Sequence, residues 1–470
     1  MTGSEESPAS RLSRIAARVR RSLLWFGGSG GSDALRRAFW IALGVKVALL
    51  LLLVQTQPDA LVTDDTSSYV EPAWNLIDHL SFSSDGQAEL LRTPGYPLFL
   101  VPFLVAFGDA WMPAVVVAHF LLVGATAYLV YRLVLIAVDH EARESIARLA
   151  FVLVLFEPNI FLSQYAVATE VLFTSLLVAG VYFGVRFLRQ KEAGWALLGA
   201  LFLSAAAYVR PIGLYLPYLL GAAGLVYCVA QKRWRLSGAV VGALALHLVL
   251  TGAWSVRNEA RTGVRTFTTI SHLNLWEYVG ASVASRAHGE DWGDTRARFH
   301  EQLESWPGNE AERAEAAADS AMEILRAHPT EAATIWLQGL VTNVADPGTG
   351  DVANTMGWRE SDSGIIYKYV SMSPPDFLLY LVKNEKALLA CLAVGGIWLL
   401  VLWGGAIYGY TRLTFAPSAV GALLLLCVVY LLFVAAGPQS MARFRMPATP
   451  LILVYTSTGL YTLWRHRRNL

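Results

Sequence analysis

Charge is scarce in this chain and cysteine scarcer still. Only 16% of the residues are charged against 55% hydrophobic, and the formal net charge is +1. With a mean hydropathy of +0.45, these values exclude an ordinary soluble domain and predict a membrane protein with many spans. The lack of a basic excess argues against nucleic acid as a partner. The three cysteines, Cys228, Cys391 and Cys427, all lie inside apolar runs, which speaks against a disulfide framework or a zinc cluster. Also missing are a Walker loop, a dinucleotide fingerprint, an HExxH motif and any internal repeat. The N-terminal "MTGSEESPASRLSRIAARVRRSLLWFGGSGGSDALRRAFW" lacks the short basic region and small-residue cleavage site of a signal peptide. It reads as a cytoplasmic basic tail and linker (residues 1–37), with Arg11 to Leu24 forming an amphipathic stretch on the anionic membrane surface.

What is abundant is long apolar runs. A span needs roughly 20 mostly apolar residues, and ten segments answer: residues 38–56, 111–136, 147–163, 170–188, 195–209, 212–230, 237–254, 386–408, 417–437 and 446–463. "PGYPLFLVPFLVAFG", Pro94 to Gly108, is shorter and carries three prolines, so it is read as a half-buried or interfacial helix. Arg132/Arg143/Arg148, Arg186/Arg189/Lys191, Lys232/Arg233/Arg235, Arg412 and "RHRR" at Arg465 to Arg468 then share one face with the N-terminal tail. The positive-inside rule makes that face cytoplasmic. The expectation is an all-α helix bundle of the plasma (inner) membrane with both termini inside. A transmembrane module spans 38–254, including a first outer loop at 57–110; a long outer loop with amphipathic helices spans 255–384; the last helices and a basic tail span 385–470. In the long loop, "TRARFHEQLESW" and "AADSAMEILRAHPTEAATIWLQGLVTNV" have helical spacing. Pro329 divides the second into one solvent-facing helix and one lying on the membrane.

The concentrated polar features fall on the outer face. "LVTDDTSSYVEPAWNLIDHL" places Asp64 and Asp65 where the first span leaves the lipid. Asp65 or Thr66 could simply cap the following helix, yet two carboxylates at that boundary call for a cationic or hydroxylic partner. Glu170 begins the fourth span, where Thr169 is a candidate cap and the helix dipole favours a carboxylate; by itself it reads equally as a plain helix-start residue. Arg92 lies further along the first outer loop, and Arg210, Arg257, Arg443 and Arg445 occupy outer positions that the positive-inside rule disfavours. Phosphate or pyrophosphate is the natural counter-ion for such a set, because guanidinium binds it bidentately. Lys46, His119 and His247 lie within spans and are read first as a snorkelling lysine and hydrogen-bonded core histidines. His272, near Arg257 in the long loop, is a weaker site candidate.

Outside a membrane there is no supply of nucleotide-activated sugar, so a group donor used there must be lipid-borne, and a polyprenyl-phosphate sugar fits an acid beside arginines at the lipid boundary. The residues "DDTSSY", "RTPGYPLFL", "EPNIFLSQYAVATEVLF", "YVRPIGL", "WSVRN" and "ARFRMPATPLI", in that order, resemble the GT-C superfamily of polytopic glycosyltransferases. The likeness is to the branch of dolichyl-phosphate-mannose protein mannosyltransferases and bacterial aminoarabinose transferases. It covers nearly the whole chain and is strongest from Thr63 to Leu216.

The resemblance implies sugar transfer to an acceptor hydroxyl or amine, with Asp65 or Asp64 as general base and Glu170 as supporting acid. Arg92, Arg210, Arg257, Arg443 and Arg445 would contact the donor phosphate; Tyr69, Tyr96 and His272 are candidate substrate contacts. Asp65 precedes Tyr69 by the family spacing, although many relatives have an Asp-Glu pair at Asp64-Asp65. Many also carry a folded C-terminal outer domain, so acceptor recognition here is assigned to the long loop. No metal or other cofactor is expected, and the partners are the lipid-linked donor, an acceptor that is lipid, glycan or protein, and membrane lipids. A transporter or flippase, and a polymerase or ligase using a pyrophosphate-linked oligosaccharide, are the rival readings.

Overall fold

The computed structural model describes residues 31–350, 352, 374–413 and 418–468. The amphipathic stretch expected at Arg11 to Leu24, and part of the expected long loop, lie outside the described residues. The chain divides into two units, Met1–Val45 and Lys46–Leu470. In the first, helix α1 (Gly31–Thr56) begins, and Asp33 pairs with Arg36 one turn on.

In the second unit the order is α2 (Thr66–His79), a hairpin of β1 (Ser83–Ser84) and β2 (Gln87–Ala88), α3 (Gly95–Phe107), α4 (Trp111–Ala137), α5 (Arg143–Phe156) and α6 (Pro158–Ser163). Then come α7 (Glu170–Gln190), α8 (Ala193–Val209), α9 (Leu216–Ala230), α10 (Trp234–Thr262) and α11 (Ile270–Asn274), which continues through a π-helical turn, Leu275–Gly280. The order closes with α12 (Ala281–His288), α13 (Trp292–Ser305), α14 (Glu310–Ala327), α15 (Pro329–Ala345), α16 (Pro374–Asn384), α17 (Lys386–Arg412), α18 (Ser418–Val434), α19 (Ala442–Arg445) and α20 (Thr449–Arg468).

Apart from that short hairpin, this is the helical, multi-pass membrane architecture that the sequence predicts. Among the described residues six helical segments are long and apolar enough to cross a membrane, and two shorter apolar helices, Ala193–Val209 and Ala419–Val434, accompany them. Apolar side chains such as Val226, Leu248, Val249, Leu400 and Ile407 face outward from the bundle, as lipid contact requires. Helix α7, in contrast, is buried along most of its length, so it is the central post. Helices α17 and α20 approach until backbones touch: a Cβ on Gly409 would run into the Tyr455 carbonyl, and one on Gly459 into that of Gly405. Small residues permit such contact between membrane helices.

Two expected spans differ. The run 147–163 is two helices, because Pro158 cannot supply the backbone donor of a continuing helix. The fully buried Glu157 turns this break into a cap, accepting the Ile160 N–H at 2.8 Å and the Trp398 indole N–H at 3.1 Å. The run 237–254 extends to Thr262 and ends on Gly263 at φ +80°, so Arg257 and Asn258 stand on helix α10 and not in a loop. Pro329 divides the amphipathic stretch as expected, with α14 ending at Ala327 and α15 beginning on the proline. The π-helical turn and α12 to α14 enclose an apolar core that includes Trp276, Phe299, Leu303, Ala317 and Ala321.

Of the ionisable residues within spans, the histidines are core residues with partners. His247 bonds Ser204 Oγ at 2.9 Å and the Leu214 carbonyl at 3.0 Å, and His119 bonds the Gln164 carbonyl at 3.2 Å. Lys46 does not snorkel: it is 1% exposed, with Nζ 5.7 Å from the Phe161 ring centre and no hydrogen-bond acceptor among the described residues.

Candidate active site

The first loop is tied to the turn before α7. The Val167 N–H donates to the Leu61 carbonyl at 2.8 Å, and Thr66 Oγ1 donates to the Val167 carbonyl at 3.1 Å while accepting the Thr63 N–H at 2.8 Å. This stitching fixes where α2 begins. Asp65 occupies the cap position, but its backbone is already helical and its carboxylate caps nothing. Instead Asp65 Oδ1 receives Arg92 Nη2 at 2.6 Å. The other carboxylate oxygen has no partner among the described residues. Asp64 is exposed and unpaired on the same terms.

Arg92 spends its other donors on the same helix, Nε on Ser68 Oγ at 2.9 Å and Nη1 on the Tyr69 hydroxyl at 3.1 Å. Arg92 thereby clamps the first turn of α2.

On the other side stands Glu170, 6% exposed, with Arg210 Nη1 at 2.5 Å and Arg443 Nε at 3.9 Å. Thr169 does not cap α7; its hydroxyl accepts from Arg210 Nη1 at 3.3 Å. The Phe444 ring lies 5.9 Å from the Arg210 guanidinium and 5.5 Å from that of Arg443, a cation–π support that keeps both in place. Glu170 is thus more than a helix-start residue. Arg443 Nε is buried and finds no hydrogen-bond acceptor among the described residues.

Tyr69 joins the two halves. Burial, first, raises its phenol, and the charges of Arg92, Arg210, Asp65 and Glu170 all act on it, the arginines lowering and the acids raising. Its ring meets Tyr96 edge-on at 5.3 Å. Tyr96 is fully buried, and Gly95 beside it explains the "RTPGYP" motif: a Cβ there would lie 2.6 Å from the Tyr208 carbonyl at the end of α8. Only glycine lets α3 pack that close to Arg210.

Three other expected residues stand apart. Arg445, 1% exposed, donates from Nη1 to the carbonyls of Asn343 at 2.6 Å and Val344 at 3.1 Å, and from Nη2 to that of Asp346 at 3.0 Å. These bonds tie it to the end of α15. Arg257 donates to the carbonyls of Phe82 at 2.7 Å and Glu89 at 3.3 Å and stacks on Trp254 at 4.8 Å, so it too anchors main chain. His272 lies on α11 and makes no side-chain hydrogen bond to the cluster among the described residues.

Sequence reasoning missed Ser68, Phe444 and above all Glu89. Glu89 Oε1 accepts the Arg92 N–H at 2.7 Å, and the residue is 6% exposed. Burial, with help from the nearby charge of Glu310, pushes its carboxyl up to about 7 against the Arg92 and Leu91 amides and the Arg92 charge. The only signal was an acid set in "AELL" three residues before Arg92.

The sequence matches no protein-family profile and no curated protein. Among solved structures it is similar to the archaeal oligosaccharyltransferase AglB from Archaeoglobus fulgidus, determined with an inhibitory peptide and a dolichol-phosphate. That match has a TM-score of 0.50 and 13% identity over 93% of this chain and 51% of AglB, so the chain spans about half the length of that protein. Matches to ArnT from Cupriavidus metallidurans are weaker in shape. The apo form gives a TM-score of 0.37 at 15% identity over 90% of this chain and 78% of ArnT. The form bound to undecaprenyl phosphate gives 0.36 at 15% identity over 90% and 77%. The AglB likeness shows a shared fold, a polytopic bundle of helices.

Proposed function

We propose that this protein is a membrane glycosyltransferase that moves a sugar from a polyprenyl-phosphate donor to an acceptor hydroxyl or amine on the outer face of the plasma membrane. The observation that carries the reading is Arg443: a buried guanidinium nitrogen without an acceptor, beside Arg210 and 3.9 Å from Glu170. Two arginines against one carboxylate leave a net positive charge, which an anionic ligand completes. A phosphate does so with charge-assisted hydrogen bonds.

In this reading the acceptor's proton passes to the uncommitted oxygen of Asp65 while the acceptor atom bonds the anomeric carbon. The bond from that carbon to the phosphate oxygen breaks with inversion, and its electron pair stays on the polyprenyl phosphate. Arg210 and Arg443 stabilise that developing charge. General-base help of this kind contributes roughly 10²–10⁴ in rate. Asp65 is preferred to the exposed Asp64 because Arg92 and the first turn of α2 hold it in one place. The rival built on a pyrophosphate-linked donor rested on both arginines of "ARFR", and Arg445 is committed to α15.

The test is transfer of radiolabelled sugar from synthetic polyprenyl-phosphate donors by the protein in membranes. Loss of transfer in Asp65→Asn with Asp64→Asn active supports the assignment, and unchanged turnover in both variants removes the general-base mechanism.

A further inference from the structure

Glu89 is a buried acid that the chemistry above does not use, and it sits where two loops meet. Residues 89–92 are held on one edge by the long loop: the Thr269 N–H donates to the Leu90 carbonyl at 3.0 Å and Thr268 Oγ1 donates to the Leu91 carbonyl at 2.8 Å. Glu310, in the first turn of α14, accepts from Thr269 Oγ1 at 3.1 Å. Arg257 Nη1 donates to the Glu89 carbonyl at 3.3 Å. The Glu89 side chain closes the segment on itself by taking the Arg92 N–H at 2.7 Å. From there Arg92 reaches across 27 positions of sequence to Asp65 Oδ1 at 2.6 Å.

We propose that Glu89 is a positioning residue: by holding the Arg92 main chain it sets where Arg92 places the Asp65 carboxylate, and the long loop acts on the proposed base through this same segment. The inference rests on the glycosyltransferase reading for its kinetic consequence, though not for its structural one. The geometry uses Glu89 as a hydrogen-bond acceptor, and no cationic side chain bonds its carboxylate among the described residues. The charged groups around it are Glu310, Arg92 and Arg257, with Arg313 beside Glu310. An amide oxygen at the same position would serve the Arg92 N–H as well, whereas alanine would not. Because the base must sit within hydrogen-bond reach of the acceptor, a displacement of about 1 Å is worth up to 10² in rate, and it falls on the chemical step.

The experiment compares wild type, Glu89→Ala and Glu89→Gln in lipid nanodiscs, reading sugar transfer and, without substrate, amide hydrogen exchange across residues 62–70. Glu89→Ala is expected to lower kcat roughly 10–100-fold with donor KM within about twofold, and to speed exchange in that segment; Glu89→Gln is expected to restore both. Wild-type kcat and exchange in Glu89→Ala overturn the proposal, as does a Gln variant that fails like Ala. If Glu89→Ala does not fold, Thr268→Ala removes one bond of the same segment. It is expected to give a smaller kcat loss at unchanged KM, and no loss overturns the proposal. If wild type transfers no sugar, the functional reading fails, and the exchange data alone decide the positioning link.

Discussion

Asp65 has 45% of its side chain exposed, a single arginine on one oxygen and the other oxygen free, whereas Glu170 is 6% exposed and shared between Arg210 and Arg443. The same chemical group is thus held in two ways within one cluster. An acid that takes a proton from a substrate needs an accessible lone pair and a fixed direction. An acid that organises cations needs burial, which strengthens every interaction it makes. The arginines repeat the contrast. Arg443 keeps a buried donor without an acceptor, while Arg445, two residues on, gives its Nη groups to three carbonyls. In the proposed reading, the side chains whose bonds close within the protein support the site, and the open oxygen of Asp65 and Arg443 Nε are the groups left for the substrate.

The sharpest way to break the comparison is to neutralise the open acid. Asp65→Asn is expected to lower kcat by roughly 10²–10⁴, with donor KM and thermal stability close to wild type. Neutralising the closed acid should do the reverse. Glu170→Gln leaves Arg210 and Arg443 facing each other without their counter-charge. Removing one partner of a buried pair costs about 3–5 kcal/mol, so a large fall in melting temperature is expected, read by fluorescence in detergent. A Glu170→Gln protein as stable as wild type would place the working acid there and not at Asp65.

The arginine pair gives a smaller and cleaner split. Arg443→Ala is expected to raise donor KM roughly tenfold, since a hydrogen bond to a charged group contributes about 1.5–3 kcal/mol, with little change in melting temperature. Arg445→Ala strips the end of α15 of its donors, so its effect is expected mainly in stability. Donor titrations and melting curves on the two variants check this, and equal KM effects would erase the distinction.

The sequence showed the acids and arginines of the cluster because each violates an expectation of lipid-facing chemistry: carboxylates at the bilayer boundary, arginines in short outer turns. It could not tell Arg443 from Arg445, since "ARFR" puts both in the same turn and only the fold brings the end of α15 beneath one of them. Nor could it see that Arg92 faces α2, because that contact joins residues 27 apart in sequence. Helix breaks followed the same division. Pro329 was legible because proline acts on its own backbone, whereas the break at Pro158 was hidden inside an apolar run, and its buried cap Glu157 makes sense only with Trp398 on a distant helix. Glu89 was invisible for a related reason: burial by the long loop, which no local pattern encodes, gives it its importance.

The smallest effect concerns that loop junction, and its sign is fixed by the raised carboxyl. A Glu89 that titrates near 7 in the fold, against about 4.5 when exposed, binds its proton more tightly folded than unfolded. Stability from this group is therefore fully present at low pH, declines as pH rises from about 4.5, and is lost above about 7. The protein should melt at lower temperature at pH 8 than at pH 5.5, with Glu310, raised by its own burial, adding in the same direction. Glu89→Gln keeps the acceptor for the Arg92 N–H but removes the titration, so its melting temperature should fall less over that range. The difference between the slopes is expected to be on the order of a few degrees, from a few kcal/mol of linkage. Parallel melting curves for wild type and Glu89→Gln would mean that Glu89 is ionised in the fold like any surface acid. The long loop would then not seal that junction, and the contrast between open and closed acids would end at Glu170.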